Sequence, residues 1–267
     1  MADAIYYVYG VTPPVIDLTE APEGIDGASL GLEGEGDLAA LVSRLDPSAY
    51  GPSEVEARTS DVDWLGPRAV VHDRVLTWAS DQGPVVPFPM FSAMFRDARG
   101  VHAMLRDRDD ELRDALAIAA RGREYGLRIY RDEVTLLGAV STLSPRLAEL
   151  ERTAAAASPG QRYLLERKLE AERKTESRRV SEETAREIYE TLSADAVAAR
   201  RIPMPRDATE RRAALALNAV FLVAPETYTT FRGSLGRLAT RLEPSGFRFE
   251  FSGPWPPYHF VERGDEA

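Results

Sequence analysis

Gly246–Phe260 reads GFRFEFSGPWPPYHF, and its two halves ask for different backbones. Phe247, Phe249 and Phe251 alternate with Arg248 and Glu250, the period of a strand with one aromatic and one charged face. Pro254, Pro256 and Pro257 carry no backbone donor, which bars an interior strand or a helix and biases the chain toward extended or polyproline II geometry. Trp255, Tyr258 and Phe260 then hang from a stiff rod. Either this domain supplies the surface they pack on, by docking over the last sheet, or a partner does. Self-docking is favoured, because a pre-extended segment loses little entropy on docking. The three phenylalanines are expected to face the C-terminal core, with the chain leaving the sheet at Gly253.

Upstream, Ala213–Val223 (AALALNAVFLV) is apolar on both faces and reads as a central strand. Pro225 opens a helix to about Leu242, and Tyr125–Tyr130 (YGLRIY) is a further strand. Ser144-Pro145 and Ser158-Pro159-Gly160-Gln161 are helix starts, the second with a capping-box glutamine. The helix from Pro159 is expected to run to about Arg200. Its middle, Glu166–Glu187, is mostly charged, and Glu170 with Lys174, and Glu182 with Arg186, stand one turn apart. Such a helix is expected to project beyond the domain body, its middle being either an arm for a partner or a solvated face. From Tyr125 the order is strand, helix, short strand near Ile202, strand, helix, strand, which is the ferredoxin-like βαββαβ arrangement. Pro203 and Pro205 end the long helix, and Glu262–Ala267 reads as a disordered acidic end.

The N-terminal half is built differently. Ile5–Val11 (IYYVYGV) is a β-branched and aromatic strand. Ala28–Leu32 and Leu38–Leu45 flank Gly34-Glu-Gly-Asp37 as the arms of a hairpin, although Leu38–Leu45 also fits a helix. Ser53-x-x-Glu56 has the form of a capping box. A helix over about Trp64–Ser80 places Leu65, Ala69, His72, Leu76 and Ala79 on one stripe. Val85–Phe91 (VVPFPMF) is an edge strand or a buried extended segment, and one helix is expected from about Val101 to Ala120, with Gly122 as its C-cap. The fold class is therefore α+β in two domains. Residues 1–122 form an N-terminal α+β unit, and residues 123–267 form a ferredoxin-like unit with a long projecting helix and an aromatic tail.

Composition bounds the chemistry. With 44% apolar residues the 267-residue chain can bury real cores, and a net charge of −10 argues against a nucleic-acid partner. There is no cysteine, which removes disulfides, thiol catalysis and thiolate-bound metals and fits a cytoplasmic protein. No apolar run approaches the roughly 20 residues of a membrane helix. The start MADAIYYVYG lacks the basic region of a signal peptide. His72, His102 and His259 do not stand at metal-ligand spacing. His72 on an apolar stripe is a buried acid–base group or, the favoured reading, a hydrogen-bonded core histidine. Gly31-Leu-Glu-Gly-Glu-Gly36 carries two carboxylates where phosphate would sit and lacks a P-loop lysine, so it reads as the hairpin. No paired-carboxylate or nucleophile-elbow motif stands out, and no cofactor is expected.

Ser252–Val261 (SGPWPPYHFV) resembles the closing signature of the gas vesicle protein F/L family. Further words resemble the family's in the same order: IYYVYGV at Ile5–Val11, HDRVL at His72–Leu76, VVPFPMFSAMF at Val85–Phe95, REYGLRIY at Arg123–Tyr130 and NAVFLV at Asn218–Val223. The Gly-Pro-Trp-Pro-Pro-Tyr run is the most specific of them. Pro89 and Ser92 stand where the family often has Arg and Gly, so no role of that arginine carries over. The resemblance implies two α+β domains and a cytoplasmic accessory protein of gas vesicle assembly, without catalysis or cofactor. It implies association with the small shell protein and with other accessory proteins. The alternatives are a minor structural component retained in the vesicle shell, and an enzyme on the ferredoxin-like scaffold, which would need His72 or His259 beside a carboxylate in a pocket. A shell protein must turn a strongly apolar face toward gas, and before assembly that face is an aggregation hazard that a soluble helper could cover. Trp255, Tyr258, Phe260, Glu170 and Lys174 are the candidate partner-binding residues.

Overall fold

The structure, a computed structural model, describes residues 4–203 and 213–261. The acidic end Glu262–Ala267 and Pro205 lie outside the described residues. Packing gathers the chain into two compact units, Met1–Glu124 with Pro254–Ala267, and Tyr125–Gly253. The chain thus enters the second unit once and returns. The sequence reading assigned the whole tail to the C-terminal half, whereas packing places Pro254 onward with the first unit.

The first unit runs β1 (Ile5–Thr12), β2 (Leu30–Glu35), β3 (Leu38–Leu45), α1 (Pro47–Tyr50), α2 (Pro52–Arg58), α3 (Val62–Gln82), β4 (Val86–Pro87), β5 (Met94–Phe95), α4 (Ala98–Asp107) and α5 (Asp109–Ala119). The sheet order is β2-β3-β1-β4, with β5 pairing a different stretch of β1. These pairings are antiparallel. Leu38–Leu45 is a strand, and its hairpin with β2 turns through Gly36 at φ 60°. β1 is covered on both faces. Tyr7 and Tyr9 pack with Val75, Leu76 and Ala79 of α3, and Val8 and Val11 pack with Leu105, Leu112 and Leu116 of α4 and α5. Residues 8 and 11 could not share a face in a regular strand, but the register slips between Val8 and Gly10, and this bulge resets the alternation. Gly10 is required there: a Cβ would stand 2.5 Å from the Val86 carbonyl oxygen.

Aspartates open several helices. Asp61 accepts from the amides of Asp63 and Trp64, and Asp97 accepts from that of Gly100. The single helix expected over Val101–Ala120 is two, interrupted at Arg108, whose φ and ψ are −113° and 20°. Asp109, Asp110 and Glu111 in the first turn of α5 favour a second positive helix end at that point.

The second unit continues with β6 (Arg123–Asp132), α6 (Glu133–Leu143), α7 (Pro145–Ala156), α8 (Pro159–Ala194), β7 (Ala198–Arg201), β8 (Ala213–Val223), α9 (Tyr228–Leu242) and β9 (Phe247–Trp255). The sheet order is β7-β8-β6-β9, so β8 is interior, as its two apolar faces require. β9 is at an edge and tolerates Pro254 near its end. Phe247 is buried in the core with Leu127, Ile129, Phe221 and Phe231, while Phe249 and Phe251 pack against it half-buried. Gly246 precedes β9 at φ 91°, a left-handed conformation that lets the chain turn out of α9. The long helix ends at Ala194, and Ala198–Arg201 forms β7 instead of the last helical turns. Nor does α8 simply project. The hairpin of α6 and α7 folds against it, and Glu176, Ser177, Val180 and Ser181 of the charged middle are buried. After β9 the chain forms α10 (Tyr258–Val261), a single helical turn where a polyproline-like rod was expected.

Candidate functional site

His72 is the most perturbed of the candidate catalytic groups. It is 3% exposed, and burial pushes its pKa down to about 4. Its Nε2 lies 3.1 Å from the Phe88 carbonyl oxygen, which can only accept, so Nε2 carries the proton. Nδ1 then accepts from the Tyr7 hydroxyl at 2.6 Å. That hydroxyl is in turn hydrogen-bonded by the backbone of Phe91. Tyr9 stacks on the imidazole at 5.5 Å between centroids. Both ring nitrogens are used within the fold, and the group is a neutral pin joining α3, β1 and the segment after β4. It holds Phe91 at φ 62°, a strained conformation for a bulky residue that costs about 1–3 kcal/mol. Stacking on Trp64 at 5.3 Å and edge contact with Tyr7 at 5.4 Å help to offset that strain.

His259 does stand beside a carboxylate, but in a structural arrangement. Glu124 is 3% exposed and accepts from the His259 backbone amide at 2.9 Å, and its other oxygen lies 2.6 Å from His259 Nδ1. Tyr258 hydrogen-bonds Asp73 and packs on the cluster around Tyr7 and Leu76. Phe260 and Val261 are buried, Val261 among Val8, Phe88 and Leu116. The tail therefore is docked, with Tyr258 and Phe260 serving as anchors within the first unit. Trp255 is 39% exposed, more accessible than Tyr258 or Phe260. His102 lies at the surface, 3.3 Å from Glu33. Among the described residues no group of three or more His, Asp or Glu is placed to hold a metal ion, and no helix is long and apolar enough to cross a membrane.

On α8, Glu170 and Lys174 are both exposed and do not pair with each other. Glu172 takes the available cations instead, Arg146 at 2.9 Å and Lys168 at 3.9 Å. The buried member of the charged middle is Glu176. Arg179 at 2.6 Å and the Ser144 hydroxyl at 2.5 Å hold its pKa down to about 2, against the opposing effect of burial. Ser144 also caps α7 through the Leu147 amide at 3.2 Å, so this cluster fastens the start of α7 to α8.

The sequence reading missed the other end of that hairpin. At the α7–α8 turn, Arg162 donates to the Ala154 and Ala155 carbonyls at 3.3 and 3.0 Å and closes the end of α7. The next residues, Tyr163 and Leu164, are 60% and 67% exposed. Leu164, with Thr153, Ala156, Ala157 and Leu165, borders an open hollow of about 740 Å³. Tyr163 and Leu164 are adjacent large apolar side chains that stand in water, and packing within the fold does not bury them. The signal was in the sequence: Tyr163-Leu164-Leu165 is an apolar word inside a charged helix, directly after its cap.

Comparison with known proteins gives one answer throughout. The chain is 29% identical over 269 residues to gas vesicle protein L of Streptomyces sp. (strain CB03234), covering 99% of this chain and 95% of that protein. It is 24% identical to gas vesicle protein L1 of Halobacterium salinarum, covering 92% and 88%. The crystal structure of the gas vesicle protein GvpF from Anabaena sp. PCC7120 superposes with a TM-score of 0.68 at 18% identity, covering 99% of both chains. That of GvpF from Microcystis aeruginosa gives 0.66 at 19% identity, covering 97% and 99%. These two likenesses establish a shared fold. The sequence profile of the family described as gas vesicle synthesis protein GvpL/GvpF matches residues 5–262, and the chain belongs to that family.

Proposed function

We propose that this protein is a cytoplasmic accessory factor of gas vesicle assembly that works by binding the shell protein and other accessory proteins, without catalysis. Family membership carries the role in gas vesicle formation. The binding reading rests on the exposed Tyr163 and Leu164 at the α7–α8 turn. Burying both side chains against an apolar partner would contribute on the order of 1.5–3 kcal/mol each, an anchor for an interface whose other contacts supply the rest of the cost of association. The buried His72 and the buried Glu124 that meets His259 point the same way, because their partners are structural. We also read the order β7-β8-β6-β9 as a ferredoxin-like βαββαβ unit whose first crossover carries the α6–α7 hairpin as an insertion. On this reading the insertion is the binding device and the sheet is its platform.

The test is co-purification of the tagged full chain with the shell protein from gas-vesicle-forming cells. Recovery of the shell protein with the wild-type chain, and its loss with Tyr163→Ser/Leu164→Ser, supports the reading. A shell protein that never accompanies the wild-type chain overturns it.

A further inference from the structure

The first unit contains a second feature that the hairpin reading does not use. A cavity of about 390 Å³ opens beside β5, lined by Ile5, Tyr50, Val55, Phe91, Met94 and Phe95. Its size is that of a pocket for a ligand or one large side chain with its neighbours. Its wall is fixed in advance. Phe91 is held at φ 62° by the Tyr7–His72 relay and by stacking on Trp64. Tyr50 is held by Arg68 Nε at 2.6 Å and by Asp26.

Two further observations point to an occupant. β5 pairs with β1 through Tyr6–Phe95 and Tyr7–Met94, and among the described residues no strand pairs with its outer edge. Both residues of this strand line the cavity. Open backbone next to an apolar pocket is the arrangement that receives an added strand, with main-chain bonds for affinity and the pocket for selectivity. The cavity lining also includes Arg96 and Glu56. Both are exposed, and among the described residues neither side chain has an ion pair or hydrogen bond. A guanidinium left unpaired at an apolar mouth is a fork for a carboxylate. In an extended segment, residues two apart share a face.

We propose that this cavity binds an extended peptide segment of a partner protein, which adds to the outer edge of β5 and inserts one large apolar side chain, with an acidic residue two positions away paired to Arg96. The Glu56 carboxylate disfavours a second acid on the other side and so sets the direction of the segment. The site is separate from the α7–α8 turn and does not depend on what that turn holds.

The experiment is selection of a random seven-residue peptide display library on the full chain, followed by fluorescence anisotropy with the recovered peptides. The enriched peptides should share Leu, Ile, Met, Phe or Trp with Asp or Glu two residues away. Arg96→Glu should weaken them at least tenfold and shift a repeated selection toward Lys or Arg at that place, with an unchanged melting temperature. Met94→Trp, which fills the cavity, should abolish binding. Peptides with no shared pattern, or binding that survives both variants, would overturn the proposal. So would self-association of the wild-type chain that Arg96→Glu removes, since it would assign the cavity to a second copy.

Discussion

Lowering the pH from about 7 to about 5 should destabilise the first unit through one residue, His72. Its folded pKa is pushed down to about 4, from an ordinary 6.5, by burial. The unfolded chain therefore binds more protons between those values, and stability falls as pH falls through that window. The contribution is fully present above about pH 6.5, is about 2 kcal/mol smaller at pH 5, and by pH 4 has lost roughly 3 kcal/mol. Glu176 acts in the same direction but lower, from its ordinary 4.5 down to about 2, so it hardly titrates above pH 5. The assay is urea unfolding followed by tryptophan fluorescence. The three tryptophans, Trp64, Trp78 and Trp255, all belong to the unit that contains His72, so the signal reports on it. His72→Gln keeps a donor toward the Phe88 carbonyl but cannot titrate. It should be less stable than wild type at pH 7 by about 1–3 kcal/mol, and it should lose most of the wild-type slope between pH 7 and pH 5. An equal slope in the variant, or a flat wild-type profile, would show that His72 is not the neutral buried pin described above.

Other outcomes follow from the packing. Phe247→Ala should cost about 3–5 kcal/mol, and Phe249→Ala distinctly less, because only Phe247 is fully enclosed; chemical denaturation followed by circular dichroism ranks the two. Phe260→Ala should destabilise the first unit by a similar amount and Trp255→Ala by less, which a fluorescence melt of the former and a circular dichroism melt of the latter would measure. Reversing Glu170 and Lys174 together should leave the melting temperature unchanged within about 0.5 kcal/mol of stability, since both are exposed and unpaired to each other. A shift of several degrees would mean that the outer face of α8 is covered.

Where periodicity and punctuation agreed, the sequence was legible. Ala213–Val223 announced an interior strand by being apolar on both faces, and Phe247–Phe251 announced a half-buried one by alternation. His72 on the apolar stripe is the hydrogen-bonded core histidine that the reading favoured. Three things were not legible, each because a long-range contact decides it. Val134-Thr-Leu-Leu-Gly-Ala-Val140 is rich in β-branched residues and gave no helix signal, yet the Asp132 cap and packing on α8 make it α6. The middle of α8 looked solvated because Glu176 is charged, and only the Ser144 and Arg179 partners show how it is buried. The tail's prolines were read as a rod, but Glu124 lies 135 residues from His259 and captures its amide, which no local pattern reveals. Tyr258 packs on the first unit's core and Phe260 is buried, while the exposed Tyr163 and Leu164 sit inside a helix that charge alone had described.

The exposed end of the α7–α8 hairpin is the proposed seat of the shell protein. The most direct measurement is titration of purified, detergent-solubilised shell protein into the full chain, read by isothermal calorimetry. Wild type should bind, and Tyr163→Ser/Leu164→Ser should bind at least tenfold more weakly with an unchanged melting temperature. Equal binding by the wild type and the double variant, or none by either, would contradict it.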